Sequence, residues 1–282
     1  MNFAGKTAVI TGAGRGLGFV YAQALAQRGA NVVISDIGAD NLGSGSDNAI
    51  ALDAARRLQA QGLSAVAHQG DLSSEQGCRQ LVETAIAAFG QLDILIHNAG
   101  WVGYQSIEEA DAAFIGRALD INVYAPIWLC KHAWQYLKPS TAARVVLTSS
   151  DRAMYQQYAQ PGLVAYAAGK MAQLGIMNAL SMEGAKDGIL VNAVSPVAKT
   201  RMWGIEGEPD NLKPEWVAPG VVFLASGQCQ DTGYILRASN GQFTATRFVE
   251  NQGVEYPVDL ARVSASSAEH VAQQWECIKQ SH

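Results

Sequence analysis

Thr11-Gly12-Ala13-Gly14-Arg15-Gly16-Leu17-Gly18 follows a short apolar run, Thr7 to Ile10, and leads into a helical stripe of Leu17, Val20, Tyr21 and Ala24. Strand, glycine turn and helix in that order can make a phosphate site. The glycines let the backbone turn tightly and approach an anion, and the helix start offers free N–H groups. The same composition also suits a plain tight turn. Asp36 closes the next apolar run, Ala30 to Ser35, near the ~20-residue interval at which dinucleotide folds hold an adenosine ribose on a carboxylate. Its plainer reading is a turn residue ahead of Gly38. Tyr166 and Lys170 stand at i and i+4, so a helix presents phenol and ammonium on one face. A phenol of pKa near 10 is a poor base at neutral pH, and a neighbouring positive charge favours its phenolate. Without further context such a pair also fits a solvated surface.

Alternating strands and helices must position these groups. Ser64 to His68 reads as a strand ending at Gly70-Asp71-Leu72, and Leu81, Val82, Ala85, Ile86 and Phe89 line one side of the helix after it. Leu92 to Ile96 is a strand that stops at Asn98-Ala99-Gly100. The pattern over 111–137 predicts one helix, with Phe114, Ala118, Ile121, Ala125 and Leu129 on a face and Asn122 in that apolar neighbourhood. Asn122 alone reads as a satisfied core amide. Arg144 to Thr148 is a strand with Ser149-Ser150 at its C-terminal end, the ligand-facing edge of a parallel sheet. Ile189 to Val194 is a strand ended by Ser195-Pro196, and 197–213 reads as an irregular binding loop. A helix over Pro214 to Ala225, a last strand over Gly233 to Leu236 and a capping box at Ser266-x-x-Glu269 follow. That box opens a final helix with Val271, Trp275 and Ile278 on one side. The prediction is an α/β doubly wound parallel sheet (Rossmann fold). It forms a single domain over 1–240, with a C-terminal helical extension over 241–282 that packs on the domain or on a neighbouring subunit.

Composition narrows the partners. The 282 residues are 49% hydrophobic and 16% charged with a net charge of −5, so a nucleic-acid partner is not expected. No apolar run reaches the ~18 residues of a membrane helix, and no membrane partner is expected. The start runs straight into a strand, the last residues Gln-Ser-His are not a peroxisomal tripeptide, and the cysteines at 78, 130, 229 and 277 are scattered. A cytoplasmic protein with no metal site is the expectation.

Taken together and in order, Thr11 to Gly18, Gly70-Asp71-Leu72, Asn98-Ala99-Gly100, Asn122, Ser149-Ser150, Tyr166-Ala-Ala-Gly-Lys170 and Ser195-Pro196 resemble the short-chain dehydrogenase/reductase family. Within it the resemblance is to the (3R)-hydroxyacyl-CoA dehydrogenase domain of multifunctional β-oxidation enzymes. It is carried by the stretches 36–46, 212–219 and 271–278. Those enzymes continue into a hydratase domain, so a free-standing dehydrogenase is expected here. Three departures touch the loops: a longer interval between Ser150 and Tyr166, with Pro161-Gly162-Leu163 as the insertion; His97 where an asparagine is usual; and Val197 where a glycine is common. His97 reads as a structural substitution.

The resemblance implies hydride transfer between a nicotinamide and a secondary alcohol. Tyr166 would move the proton, and a three-unit fall in its pKa would need roughly 4 kcal/mol. Lys170 would supply charge and hold the nicotinamide ribose, Ser150 would orient the substrate oxygen, and Asn122 would continue a proton relay. Gly12, Arg15, Gly16, Leu17, Gly18, Asp36, Asp71, Leu72, Asn98, Ala99, Gly100, Pro196 and Thr200 would line the cofactor site, with Asp71 at the adenine. Asp36 favours NAD, because its carboxylate would repel a 2′-phosphate; Arg15 pulls toward NADP. Trp101, Tyr104, Met154, Tyr155, Tyr158, Met202 and Trp203 would line a pocket for a hydrophobic small molecule. A 3-hydroxyacyl-CoA is the first expectation and a hydroxysteroid the second, with Lys199, Arg201 and Lys213 as partners for the CoA phosphates. A non-catalytic NAD(P) sensor would not need the Tyr166–Lys170 pair, and an extended-branch epimerase would carry a larger C-terminal part. A homodimer or homotetramer is expected through the helices at 111–137 and 164–183.

Overall fold

The computed structural model describes residues 1–40, 43–200 and 209–279. Seven strands pair in parallel: β1 (Thr7–Thr11), β2 (Asn31–Ser35), β3 (Ala65–His68), β4 (Ile94–His97), β5 (Arg144–Thr148), β6 (Leu190–Val197) and β7 (Ile235–Ser239). An eighth, β8 (Gln242–Thr246), adds antiparallel to β7, giving the order β3-β2-β1-β4-β5-β6-β7-β8. The helices between them are α1 (Gly16–Ala26), α2 (Asn48–Gln59), α3 (Glu75–Phe89), α4 (Ala112–Leu119), α5 (Ala125–Leu137), α6 (Asp151–Met154), α7 (Val164–Gly184) and α8 (Ala218–Leu224). Strand side chains alternate between faces. Ile10, Val32, Ile34 and Ile96 enter one core with Phe19, Tyr21 and Leu25 of α1 and Val221 of α8. Val9, Val33, Leu95 and Val145 enter the other with Leu81 of α3, Leu129 of α5 and Met177 of α7. Both faces are covered, which is why the strands read as unbroken apolar runs.

The single helix expected over 111–137 is interrupted. Asp120–Tyr124 forms a π turn between α4 and α5, in which the Ala125 N–H reaches back to the Asp120 carbonyl. Pro126 follows and has no N–H to donate. Neither residue therefore serves the Ile121 carbonyl, which needs a donor from elsewhere. Ser195-Pro196 does not end β6 as expected, since the strand runs on to Val197 beside Ser239. The helix expected from Pro214 splits into a 3₁₀ turn, Pro214–Trp216, and α8.

The β7–β8 hairpin is also additional to the expected elements. Its two-residue turn is Asn240-Gly241, with φ of 51° and 75°, the left-handed pair that a type I′ turn requires. The first compact unit accordingly runs to Thr246, beyond the boundary expected near Asn240, and Arg247–His282 forms a second. Within the second, Ser267 rather than Ser266 is the cap: its side chain accepts from the His270 N–H at 3.1 Å. The helix it opens breaks at Gln274 into α9 (Ala268–Gln273) and α10 (Trp275–Ile278).

Candidate active site

Strand order reverses between β1 and β4, and the crevice outside the C-terminal strand ends at such a switch is where doubly wound folds bind ligands. A cavity of about 1510 Å³ opens there. Its wall includes Gly12, Arg15, Gly16, Leu17, Asp36, Asp71, Leu72, Asn98, Ala99, Gly100, Ser150, Tyr166, Lys170, Pro196 and Thr200. Of the expected catalytic and cofactor-binding residues, only Gly18 and Asn122 are not part of that wall.

The glycine turn is held by backbone geometry. Gly12 and Gly16 have φ of 60° and 55°, and a Cβ on Gly18 would lie 2.3 Å from the Gly12 carbonyl oxygen. Asn98 clamps the turn from β4, donating through Nδ2 to the Thr11 and Gly12 carbonyls at 3.1 Å each. Thr11 Oγ1 accepts from the N–H groups of Asn98 and Ala99 at 3.0 and 2.9 Å. The Asp36 carboxylate takes the Gly14 N–H at 2.9 Å on one oxygen and the Gly38 N–H at 2.8 Å on the other. Arg15 reaches the Ala39 carbonyl at 2.8 Å, and Asp71 caps its own turn through the Ser73 N–H and hydroxyl at 2.9 and 2.8 Å.

The chemistry-bearing side chains converge from β5 and α7. Ser149 is buried and donates to the Lys170 carbonyl at 2.9 Å, whereas Ser150 lines the cavity with Tyr166 and is less buried, which separates the two adjacent serines. Lys170 is buried; its Nζ donates to the Thr148 carbonyl at 2.9 Å and lies 5.9 Å from the Tyr166 ring centre. Burial lowers the Lys170 pKa to about 8. Burial also pushes the Tyr166 phenol above its ordinary value, against lowering by the Ser150 hydrogen bond and the Arg152 charge. This differs from the expectation that Lys170 lowers that pKa. In the protein alone burial wins, and the opposing cation is Arg152.

Asn122 sits in the π turn, with Nδ2 donating to the Trp101 and Ala118 carbonyls at 3.1 and 2.9 Å. Its Oδ1 is buried with no protein partner. A Cβ on Gly100 would stand 3.0 Å from both that oxygen and Lys170 Nζ, so amide and ammonium meet beside Gly100. His97 makes this turn possible. It is fully buried, with Nε2 3.1 Å from the Ile121 carbonyl and Nδ1 3.1 Å from Thr11 Oγ1. Nε2 must then carry the proton, Nδ1 accepts from Thr11, and the ring supplies the donor that Pro126 cannot. Burial, with the Lys170 charge second, lowers its pKa to about 3. His97 is a neutral brace between glycine turn and π turn.

On the substrate side, Trp101, Tyr104 and Tyr158 line the cavity as expected. Met154 packs against the core instead, and Tyr155 lies against Tyr158 and under the Arg237 guanidinium, 4.6 Å away. Met202, Trp203 and Arg201 lie outside the described residues. Lys199 bonds Asn211 and Lys213 lies 5.9 Å from the Trp216 ring centre, and neither lines the cavity. Its cationic groups, apart from Lys170, are Arg15, Arg117, Arg152 and Arg237 among the described residues. Thr11 belongs to the glycine motif itself, whereas Arg237 carries no sequence signal. The adjacent charges Asp151-Arg152 straight after Ser150 were a usable one.

The family model for short chain dehydrogenases matches residues 6–209. The chain belongs to that family. This short chain dehydrogenase is 34% identical over 258 residues to the peroxisomal multifunctional enzyme type 2 of Drosophila melanogaster, covering 90% of this chain and 42% of the fly protein. It thus spans less than half of that relative's length. It is 30% identical over 269 residues to a short-chain type dehydrogenase/reductase of Mycobacterium tuberculosis, covering 94% and 93%. Among solved structures, a 7α-hydroxysteroid dehydrogenase complexed with NADH and 7-oxo glycochenodeoxycholic acid superposes with a TM-score of 0.75 at 26% identity, covering 85% and 95%. Family and site make the chain an NAD(P)-dependent oxidoreductase acting on CH–OH groups. Among the described residues no helix is long and apolar enough to cross a membrane.

Proposed function

We propose that this enzyme uses NAD to oxidise a hydrophobic secondary alcohol, with a 3-hydroxyacyl-CoA as substrate. The observation that carries the reading is the convergence of Ser150, Tyr166 and the buried Lys170 ammonium at one cavity wall. The residues present fit a nicotinamide dinucleotide. The glycine turn would take its pyrophosphate, Asp36 the adenosine ribose, Asp71 and Leu72 the adenine side, and Lys170 the nicotinamide ribose. When bound, the oxidised nicotinamide supplies the hydride acceptor and a positive charge. Ser150 would hold the alcohol oxygen and Tyr166, as its phenolate, would take the alcohol's proton, with Lys170 and Asn122 beside it on the path by which that proton leaves for solvent.

NAD is favoured over NADP because Asp36 lines the cavity where the 2′ position would lie, while Arg15 is turned to Ala39. Because the phenol is raised, alcohol oxidation gains as pH rises through the Tyr166 pKa and ketone reduction is favoured below it. The acyl-CoA reading is supported by the fly relative, and a hydroxysteroid is the alternative supported by the steroid-bound neighbour. A dimer or tetramer would form through the apolar groove of Ile127, Trp134, Ile176 and Leu180 on α5 and α7. Free thiols at Cys78, Cys130 and Cys229 suit a reducing compartment, and we place the enzyme in the cytoplasm. The test follows NADH absorbance over (3R)- and (3S)-hydroxyacyl-CoAs beside 3-, 7- and 17-hydroxysteroids. Acyl-CoA turnover is expected; steroid turnover alone reverses the order, and activity confined to small sugars rejects both.

A further inference from the structure

Ser150 stands next to an ion pair that ties its chain neighbour to the sheet. Its backbone is extended, with φ of −153° and ψ of 136°, and Asp151 follows as the first residue of α6. That helix is one turn of four residues, Asp151–Met154, none of them fully buried. A single turn does not hold itself in water, so contacts from elsewhere must fix it. Two strands supply them. Parallel pairing sets Ser195 of β6 beside Arg237 of β7, and partners in register present their side chains on one face of the sheet. Both reach the Asp151 carboxylate. Ser195 donates to Oδ1 at 2.7 Å. Arg237 donates from Nε at 3.1 Å to each oxygen and from Nη2 to Oδ2 at 2.7 Å. The same guanidinium lies 4.6 Å from the ring centre of Tyr155, the residue just past the end of α6.

We propose that Asp151 and Arg237 are a positioning pair, which holds the Ser150 hydroxyl where the substrate oxygen must sit. This deepens the proposed function and rests on its assignment of Ser150. A bidentate arginine–carboxylate contact fixes direction as well as distance. Ser150 shares a planar peptide bond with Asp151, so its Cα inherits that placement. Its Oγ accepts from the Arg152 N–H at 3.3 Å, and the hydroxyl has its own proton to give to a substrate oxygen. A neutral side chain at 237 would leave the carboxylate able to swing about Ser195. Misplacement of an orienting group then costs rate, even when the substrate still binds. Asp151 and Arg237 line the cavity with Ser150, so a direct contact with substrate is the competing role that the test must separate.

Wild type, R237Q, R237K, D151N and S150A are assayed with NAD and NADP on (3R)-hydroxyoctanoyl-CoA, a 7α-hydroxysteroid and 2-heptanol, together with D151N/R237Q and each of D151N and R237Q on S150A. R237Q and D151N should each lower kcat by ~10-fold or more on every substrate that wild type oxidises, with KM and cofactor affinity little changed. Their double should be no worse than either single variant, and R237K should recover part of the loss. On S150A, R237Q should cost less than ~2-fold more, because the hydroxyl it places is gone. Thermal melts establish which variants are folded; if R237Q is not, D151N alone and on S150A decides. Unchanged kcat in the folded variants, or a loss on S150A as large as in wild type, overturns the inference while the secondary-alcohol reading stands. A loss in R237Q that is confined to KM and not shared by D151N makes Arg237 a substrate contact and overturns it too. Wild-type turnover in S150A removes the assigned role of Ser150, and no oxidation of any of the three compounds by wild type removes the proposed function; either result takes the inference with it.

Discussion

The two halves of the cavity are built from different materials. On the cofactor side, β1, β2 and β4 end in backbone: glycine φ angles, Asn98 on two carbonyls, and Asp36 on two N–H groups. On the substrate side, the chain after β5 and β7 itself deliver side chains: Ser150, Arg152 and Arg237. A cofactor of constant shape can be met by backbone, which tolerates little change. A substrate that varies between enzymes is met by side chains, which can be exchanged without moving a strand. The first half is therefore expected to fail through fold and cofactor binding, the second through rate and selectivity.

Replacing Tyr166 by Phe gives the largest expected effect and tests the boundary between the halves. kcat should fall by ~10²-fold or more, the scale of a lost general acid or base, while NAD affinity measured by fluorescence stays near wild type. Near-normal turnover would end the proposed chemistry. Gly18→Ala attacks the cofactor half alone. With a Cβ 2.3 Å from the Gly12 carbonyl, backbone must shift, so a stability loss of about 1–3 kcal/mol and weakened NAD binding should appear in thermal melts and titrations. A variant that melts and binds as wild type would show the turn to be looser than described.

His97 links the halves through the π turn, and its effect is readable against pH. Its folded pKa of about 3 lies below the usual 6.5, so the unfolded chain binds a proton that the folded one refuses. Stability is then full above pH 6.5 and lost as pH falls toward 3, by about 2 kcal/mol between pH 6.5 and 5. H97N should flatten that acid limb in denaturant titrations; an unaltered limb assigns the loss to other groups. The smallest expected effect is at Asp36. D36A should shift the NAD-to-NADP ratio of kcat/KM toward NADP by ~10-fold, about 1.4 kcal/mol. A wild type already preferring NADP would reverse the cofactor assignment.

Wherever contacts are local along the chain, the amino-acid order was enough. The glycine turn, the strand-end Asp36 and the i, i+4 pair Tyr166–Lys170 are set by bonds and spacings within a few residues, and apolar runs bounded by turns reveal a buried parallel sheet. The hairpin at Asn240-Gly241 was equally local, and its Asn-Gly signal was there to be read. Tertiary structure alone decided what depends on neighbours remote in sequence. Pro126 and His97 together create and brace the π turn that aims Asn122, across two elements that periodicity treats separately. Sheet order carries Arg237 to Asp151, 86 positions away. The sign of the Tyr166 shift belongs to the same class. Burial is a property of everything packed around the phenol, and no spacing along the chain reports it.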